Sequence, residues 1–262
     1  MRLLLVSLAI AGCASAGPAN SIVGGIDDAG VRSTDGRVAP GIDASERVDA
    51  SERPDADPAI DASLIDAPPA RITLNQTTIP DIVDNNSLAC PPPTSTPNAN
   101  PANSYYRVFA PADARGGGTL HVTDVSFAIE DAVSATANKL QPATIRLGTY
   151  DGAFGAVTLD LAKIHPLTTM DIQIADASLD RLTVPITADV PGTASLIVEL
   201  ALPANTTLNR QFFIGSNAGG EISPGYLRAS TCGYTAPTSL TKVASDAASG
   251  PMDVLISVSG TL

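Results

Sequence analysis

The sequence predicts an all-β domain over residues 71–262, an antiparallel, jelly-roll-like β-sandwich. Short segments rich in Val, Ile, Leu, Thr and Phe recur roughly every 10–15 residues. Turn residues, among them Asp151-Gly152 and Pro191-Gly192, separate most of these segments. No stretch keeps a helical periodicity, so the crossover helices that a parallel α/β sheet needs are not expected.

The alternation of apolar and polar residues places the strands along this domain. Two alternating runs, 120–123 and 125–129, are out of phase across Thr123-Asp124, which predicts a bulge or a bend. Further strands are predicted at 144–150, 170–175, 182–187, 195–202, 211–216 and 253–259. Since the chain has no Trp and only 4% aromatic residues, Val, Ile, Leu and Ala must build most of the core.

The first residues have the pattern of an export signal. Met1-Arg2 is a short positive segment, and residues 3–10 are apolar but too few to span a bilayer as a helix. Ile10-Ala11-Gly12-Cys13 then resembles the lipobox of bacterial lipoproteins. The resemblance implies a signal peptide of residues 1–12, cleavage before Cys13 and a diacylglycerol on its thiol. Two or more acyl chains make a stable anchor, whereas one binds only marginally.

An ordinary secretory signal is the alternative. Ala14-Ser15-Ala16 fits the small-residue cleavage pattern and would release a soluble protein. The lipid anchor is the preferred interpretation. Ala14 stands where enteric lipoproteins of the inner membrane carry a retaining Asp, so the outer membrane or the cell surface is favoured over the inner membrane.

Residues 13–70 are predicted to form a disordered tether. They are rich in Ala, Asp, Ser, Gly and Pro, and no aromatic residue occurs before Tyr105. Asp-Ala-Ser-Glu-Arg occurs twice, at 43–47 and 49–53. Such a chain cannot bury enough apolar surface to offset the entropy of ordering. As a flexible coil it would place its ends ~40 Å apart and lift the domain away from the membrane.

Two further predictions concern the cysteines and the charge. Cys90 and Cys232 remain once Cys13 is acylated, and in an oxidising compartment they can form a disulfide. The net charge of −12 repels phosphate backbones, so nucleic acid is not an expected partner.

The sequence offers no cofactor site and no metal site. His121 and His165 are far apart in sequence and are expected to be bystanders, one on a strand and one in a loop. An oxygen-rich cluster formed by Asp81, Asp84, Asn85 and Asn86 has the chemistry of a Ca²⁺ ligand set, but turn chemistry explains it as well and is preferred.

The signatures of catalysis are equally sparse. The chain has no Gly-x-Ser-x-Gly elbow and no phosphate-binding loop. Glu130 and Glu199 are candidates for a hydrolytic carboxylate pair only because each follows apolar strand residues. We expect them instead to form salt bridges with Arg107 or Arg146, and the chain is predicted not to be an enzyme.

The most site-like stretch runs through residues 215–228. Its glycines allow close approach of a ligand, while Asn217, Glu221, Tyr226 and Arg228 could supply hydrogen bonds and a stacking surface. The preferred alternative is a structured loop in which Asn217 caps a turn and Arg228 pairs with Glu221.

Several blocks together resemble a β-sandwich domain common in secreted bacterial proteins of unassigned function. They are Asn-Ser-Tyr-Tyr-Arg-Val-Phe at 103–109, the strand pattern at 122–130, Phe-Ile-Gly-Ser-Asn-Ala-Gly-Gly at 213–220, Pro-Gly-Tyr-Leu-Arg-Ala at 224–229, and Cys232-Gly233. The resemblance covers about residues 85–262. It implies fold and export and supplies no activity.

These observations predict a lipid-anchored cell-envelope protein that presents a β-sandwich as a binding or interaction module. Its expected partners are the membrane, through the lipid on Cys13, and a glycan or an envelope protein. Two alternatives stay open: a carbohydrate-binding module, and an envelope hydrolase whose acids are not identified.

Overall fold

The computed structural model describes residues 70–90, 101–110, 118–134, 136–204 and 210–262. Cys13, the expected signal peptide 1–12 and the expected tether, apart from Ala70, lie outside the described residues, so these expectations remain predictions. In the part of the chain that is described, no helix is long and apolar enough to cross a membrane.

The described residues are mostly strands. In chain order they form β1 (Arg71–Leu74), β2 (Asn103–Phe109), β3 (Leu120–Ser134), β4 (Leu140–Tyr150), β5 (Ile164–Ala175), β6 (Ala177–Val190), β7 (Ser195–Leu202), β8 (Arg210–Ile214), β9 (Ser216–Asn217), β10 (Tyr226–Ala229), β11 (Tyr234–Ser239), α1 (Leu240–Asp246), β12 (Asp253–Val254) and β13 (Ile256–Thr261). His165 therefore lies on β5, and its expected place in a loop is wrong.

Eight strands form the two sheets of the sandwich. One sheet has the order β1-β13-β3-β6 and the other contains β2-β7-β4-β5, with all neighbours antiparallel. Successive strands cross from one sheet to the other, except β4 and β5, which are neighbours in the second sheet. The first strand lies beside the last and the second beside the seventh of these eight, which is the connectivity of a jelly roll. The predicted antiparallel sandwich is confirmed.

A long insertion separates β7 from β13. Its residues add β8 beside the far half of β3, add β10 and β11 to the second sheet beyond β2, and include α1 and the β9–β12 pair. At the point where the insertion meets β3, the Gly215 N–H donates to the Ala128 carbonyl at 2.8 Å. A Cβ on Gly215 would lie 2.4 Å from the Ala128 Cβ, so only glycine fits this close approach.

The core lies between the two sheets. The largest of its fully buried side chains are Tyr105, Phe109, Leu120, Phe127, Ile145, Leu147 and Ile174. Val, Ile and Leu supply most of the remaining core residues, as the composition predicts. A smaller apolar cluster covers the outer face of the second sheet and contains Tyr106, Val108, Tyr150, Leu159, Ile197 and Tyr226.

Strand β3 changes phase twice along its length. Its pairing with β6 shifts between Val122 and Asp124, which confirms the predicted bulge. A second bulge, not predicted, lies opposite β8 between Ile129 and Asp131. Ile129 and Ala132 both belong to the core, so the two residues between them turn away from it.

The predicted disulfide joins Cys90 to Cys232, with the two Cα atoms 5.9 Å apart. It connects the segment that follows β1 to the short 3₁₀ turn that follows β10. The bridge therefore fastens the insertion to the start of the domain.

Replacing both Cys90 and Cys232 with Ser is expected to lower the free energy of unfolding by about 5 kcal/mol, because the bridge spans 142 residues and restricts the unfolded chain. Urea denaturation of the full chain measures the change, and the wild-type chain under a reductant should match the double variant. Unchanged midpoints in both samples would contradict this role.

Candidate functional site

The glycine-rich stretch that begins at Gly215 is hydrogen-bonded to the segment that follows β1. Asn217 is fully buried, and its Nδ2 donates to the carbonyls of Ile79 at 2.9 Å and Asp81 at 3.0 Å. Its Oδ1 accepts the Gly219 N–H at 3.0 Å, so the expected turn cap is confirmed. Both amide hydrogens and the amide oxygen are thus used within the chain, and Asn217 does not face a ligand.

Glu221 pairs with Arg107 across 2.8 Å, and the expected pair with Arg228 is wrong. Arg107 has no solvent exposure and also donates to the carbonyls of Ser223 and Val254. A buried guanidinium needs a carboxylate nearby, and that requirement decides the partner. Burial lowers the pKa of Arg107; it also raises the pKa of Glu221, against the opposing attraction of Arg107.

Tyr226 and Arg228 do not form a ligand surface with these residues. Tyr226 is 0% exposed, so it cannot offer a stacking surface to a ligand, and that prediction is wrong. Burial also raises the pKa of Tyr226 to about 12. Arg228 Nε donates to the Thr235 carbonyl at 3.1 Å across the β10–β11 hairpin. The four candidates from the sequence therefore do not meet in one site.

The two glutamates considered as catalytic acids have different surroundings. Glu199 forms the expected salt bridge with Arg146 at 3.0 Å and accepts the Tyr106 hydroxyl at 2.8 Å. Glu130 has neither arginine as a partner, so its expected salt bridge is wrong. It lies instead in a groove on the outer face of the first sheet.

We name this groove the acidic groove. It has a volume of about 510 Å³ and is lined by Asp84, Asn85, Ser87, Glu130, Asp131, Ser178, Gln211 and Phe213. Its floor is three adjacent strands, β6, β3 and β8. Asp131 pairs with Ser178 on one side and with Phe213 on the other, so these three side chains stand in one row across the sheet.

The second bulge of β3 places the carboxylates. In a regular strand successive side chains point to opposite faces, so only one of Glu130 and Asp131 would face the groove. Because the bulge adds a residue between the core residues Ile129 and Ala132, both acids line it. Bulges of this kind often re-aim side chains beside functional sites.

A turn after β1 forms the wall of the groove. Glu130 Oε2 accepts the Asn86 N–H at 3.1 Å, and the backbone of Asn85 and Ser87 also contributes hydrogen bonds to this carboxylate. Asn85 has a φ of 60°, a conformation that asparagine tolerates better than most residues. Asn86 is fixed further by Ser216, which donates to its carbonyl at 2.9 Å. The oxygen-rich cluster predicted here is therefore a turn held by Glu130.

The electrostatics of the groove are negative. Burial raises the pKa of Glu130, the backbone N–H groups oppose this, and the nearby Asp84 adds to it. Elsewhere in the described ranges seven acidic side chains pair with Lys, Arg or His, and none of the three acids of the groove does. No basic side chain lines the groove.

The two histidines lie outside the acidic groove. His121 and His165 pair with Asp189 and Asp151, each at 2.7 Å and each well exposed. Among the residues described, no group of three or more His, Cys, Asp or Glu side chains could hold a metal ion.

Comparison with known proteins adds no assignment. The chain matches no family model and no curated protein. The β-sandwich is confirmed by the structure, and the family suggested by the sequence blocks remains a prediction.

Glu221→Gln is expected to lower the free energy of unfolding by about 3–5 kcal/mol, because the Arg107 charge would stay buried without its carboxylate. Asp124→Asn is the matched control: its partner Arg71 is 69% exposed, so the expected loss is about 0–1 kcal/mol. Urea denaturation measures both. Equal losses in the two variants would show that the buried charge needs no carboxylate.

Glu130→Gln is expected to raise the free energy of unfolding near neutral pH. The raised pKa means that the folded state holds the Glu130 proton more tightly than the unfolded state does. Wild-type stability therefore falls as the pH rises from the unfolded pKa, about 4.3, through the folded one. The advantage of the variant should disappear below about pH 4. Denaturation across this range tests it, and a pH-independent difference would contradict the argument.

Proposed function

We propose that this chain is an exported, lipid-anchored cell-envelope protein whose jelly-roll domain is a binding module, with the acidic groove as its binding site. One observation carries the assignment of the site. The second bulge of β3 directs two consecutive carboxylates into a groove that also holds a third carboxylate, two amides, two serines and an aromatic ring.

The construction of the groove suits binding. Asp131, Ser178, Gln211 and Phe213 stand on three hydrogen-bonded strands, which hold their side chains more rigidly than loops would. The volume of about 510 Å³ falls within the range of small-molecule sites. Such a site can select a ligand without reorganising.

The same contacts favour binding over hydrolysis. A general acid must deliver its proton to a bound substrate. Glu130 Oε2 is directed at the Asn86 N–H of the wall, where it fixes the turn. We therefore assign Glu130 a positioning role and keep the envelope hydrolase as the alternative with less support.

Within the binding class, a glycan is the ligand that the lining suits best. Carboxylates and amides exchange hydrogen bonds with sugar hydroxyls, and a ring face packs on the apolar side of a sugar. Tyr105, Tyr106, Tyr150 and Tyr226 are buried, so they offer no aromatic platform. The partly exposed Phe213 supplies the ring in the groove instead.

An observation that is independent of the lipobox supports export. The Cys90–Cys232 disulfide is typical of proteins in oxidising compartments and rare in bacterial cytosol. A lipid on Cys13 would hold the domain at the membrane in that setting, with an outer membrane or cell surface preferred.

Cys13→Ser is expected to abolish membrane association, because the lipobox position would no longer carry the thiol that accepts the lipid. Detergent phase partition and incorporation of radioactive palmitate in a bacterial host measure the change. The Cys90→Ser and Cys232→Ser variants are matched controls and should stay labelled. Equal labelling of the Cys13→Ser chain would contradict the anchor.

A glycan array probed with the full chain tests the binding site. We expect retention on at least one glycan, with a loss of about tenfold or more in affinity for Asp131→Asn, because a buried or half-buried charged hydrogen bond contributes about 1.5–3 kcal/mol. Asp171→Asn removes the same charge from β5, outside the groove, and should bind as the wild type does. No glycan retained above background would contradict the proposal.

A further inference from the structure

We infer that the β4–β5 loop, residues 151–163, places its exposed apolar side chains in contact with the lipid surface to which the domain is anchored. This inference rests on the anchoring part of the proposed function and adds the face of the domain that meets the membrane. It follows from the apolar side chains that the loop exposes and from its position relative to the point where the chain enters the domain.

The first argument is the concentration of exposed apolar side chains at this loop. Ten large apolar side chains are exposed among the described residues, and four of them lie close together in sequence: Phe154, Val157, Leu161 and Leu167. The stretch 152–159 has no charged residue, although the chain has a net charge of −12. Single exposed apolar side chains are ordinary, whereas a concentration of them marks a contact surface.

The loop has a defined shape, so a loose backbone does not explain this exposure. The Asp151 N–H donates to the Lys163 carbonyl at 3.1 Å and closes the base of the loop. Leu159 is buried in the apolar cluster on the outer face of the second sheet, and its N–H donates to the Pro237 carbonyl at 2.8 Å. The loop is thus fixed to the domain by Leu159 while Phe154 and its exposed neighbours stay in solvent.

The second argument is position, because the loop begins and ends where the chain enters the domain. Arg71, the first residue of β1, stands in one row with Thr261, His121 and Asp189, at the end of the first sheet where β6 finishes. The short connection from β6 to β7 leads to the end of the second sheet where β4 finishes and β5 starts. Chain entry and the base of the loop therefore share one end of the sandwich.

The third argument is the anchor, which favours a lipid surface over a second copy of the chain. The expected tether 13–70 would hold the entry end within ~40 Å of the membrane as a flexible coil. A tethered contact is intramolecular, so a few apolar side chains are enough to maintain it. The exposed Lys163 can also place its ammonium group among the lipid headgroups.

The same orientation suits the acidic groove. Asp131 pairs with Ser178 at the other end of the first sheet, and both residues line the groove. With the β4–β5 loop on the membrane, the groove faces away from the lipid.

Two tryptophan variants of the full chain test the contact, since the sequence has no Trp. Phe154→Trp reports on the loop. Val133→Trp is the matched control, because Val133 is 43% exposed, as Phe154 is 42%, and lies at the other end of the first sheet. Each lipidated chain is bound to phosphatidylcholine vesicles with or without bromine on the acyl chains. The Phe154→Trp emission is expected to move to shorter wavelength and to lose most of its intensity on the brominated vesicles, and the Val133→Trp emission should do neither.

A second substitution and a change of salt identify the force. Adding Leu161→Asp to the Phe154→Trp chain should restore most of the emission, because a carboxylate would have to leave water for the contact to form. High salt should leave the quenching unchanged, since salt screens charges and not apolar contacts.

The outcomes separate this inference from the proposed function. Unchanged emission from the Phe154→Trp chain while it is bound to vesicles would overturn the inference and leave the anchor and the binding module in place. Quenching that needs anionic lipid and disappears in salt would contradict it too. A shift that grows with protein concentration without vesicles would assign the loop to a second copy of the chain instead. A chain that does not bind vesicles at all would overturn the anchor together with the inference.

Discussion

The hydrogen bond from the Asn86 N–H to the Glu130 carboxylate is the interaction on which the acidic groove depends. The second bulge of β3 turns this carboxylate away from the core, where Ile129 and Ala132 continue the apolar alternation. Its hydrogen bond to Asn86 then holds the turn that walls the acidic groove. Burial raises the pKa of Glu130, so keeping this carboxylate charged in its partly buried position costs free energy. Functional sites often keep groups that lower the stability of the fold in this way.

The insertion between β7 and β13 holds that same turn from the other side. Asn217 and Ser216 bond to the backbone of the segment after β1, and the Arg107–Glu221 pair fastens the insertion to β2. The disulfide fixes the end of this segment at Cys90. Asn217, which looked most like a binding residue in the sequence, therefore helps to hold the wall of the acidic groove in shape.

Most strands could be predicted because one face of each is buried, and burial leaves an alternating pattern. The Thr123-Asp124 bulge was visible because it interrupts that pattern between polar residues. The second bulge was hidden, since Ala128 and Ile129 form a continuous apolar run before the two acids. α1 spans only seven residues, too few for a recognisable period.

The contacts of the candidate site residues could not be predicted in the same way, because the residues that pair with them are distant in sequence. Glu221 pairs with Arg107, 114 residues away, and no local pattern marks a buried arginine. Glycine and polar residues in a loop are equally suited to binding a ligand and to fastening the chain. Only the tertiary contacts distinguish these uses, and here they assign Asn217 and Glu221 to fastening.

The central claim is that the acidic groove is where this protein binds its ligand, and mapping of ligand contacts by NMR tests it most directly. The ¹⁵N-labelled full chain is titrated with the oligosaccharide that the glycan array retains most strongly. The largest amide shifts are expected to cluster at residues 84–87, 130–131, 178 and 211–213. Shifts that cluster on the second sheet, or along 217–228, with the groove unperturbed, would contradict it.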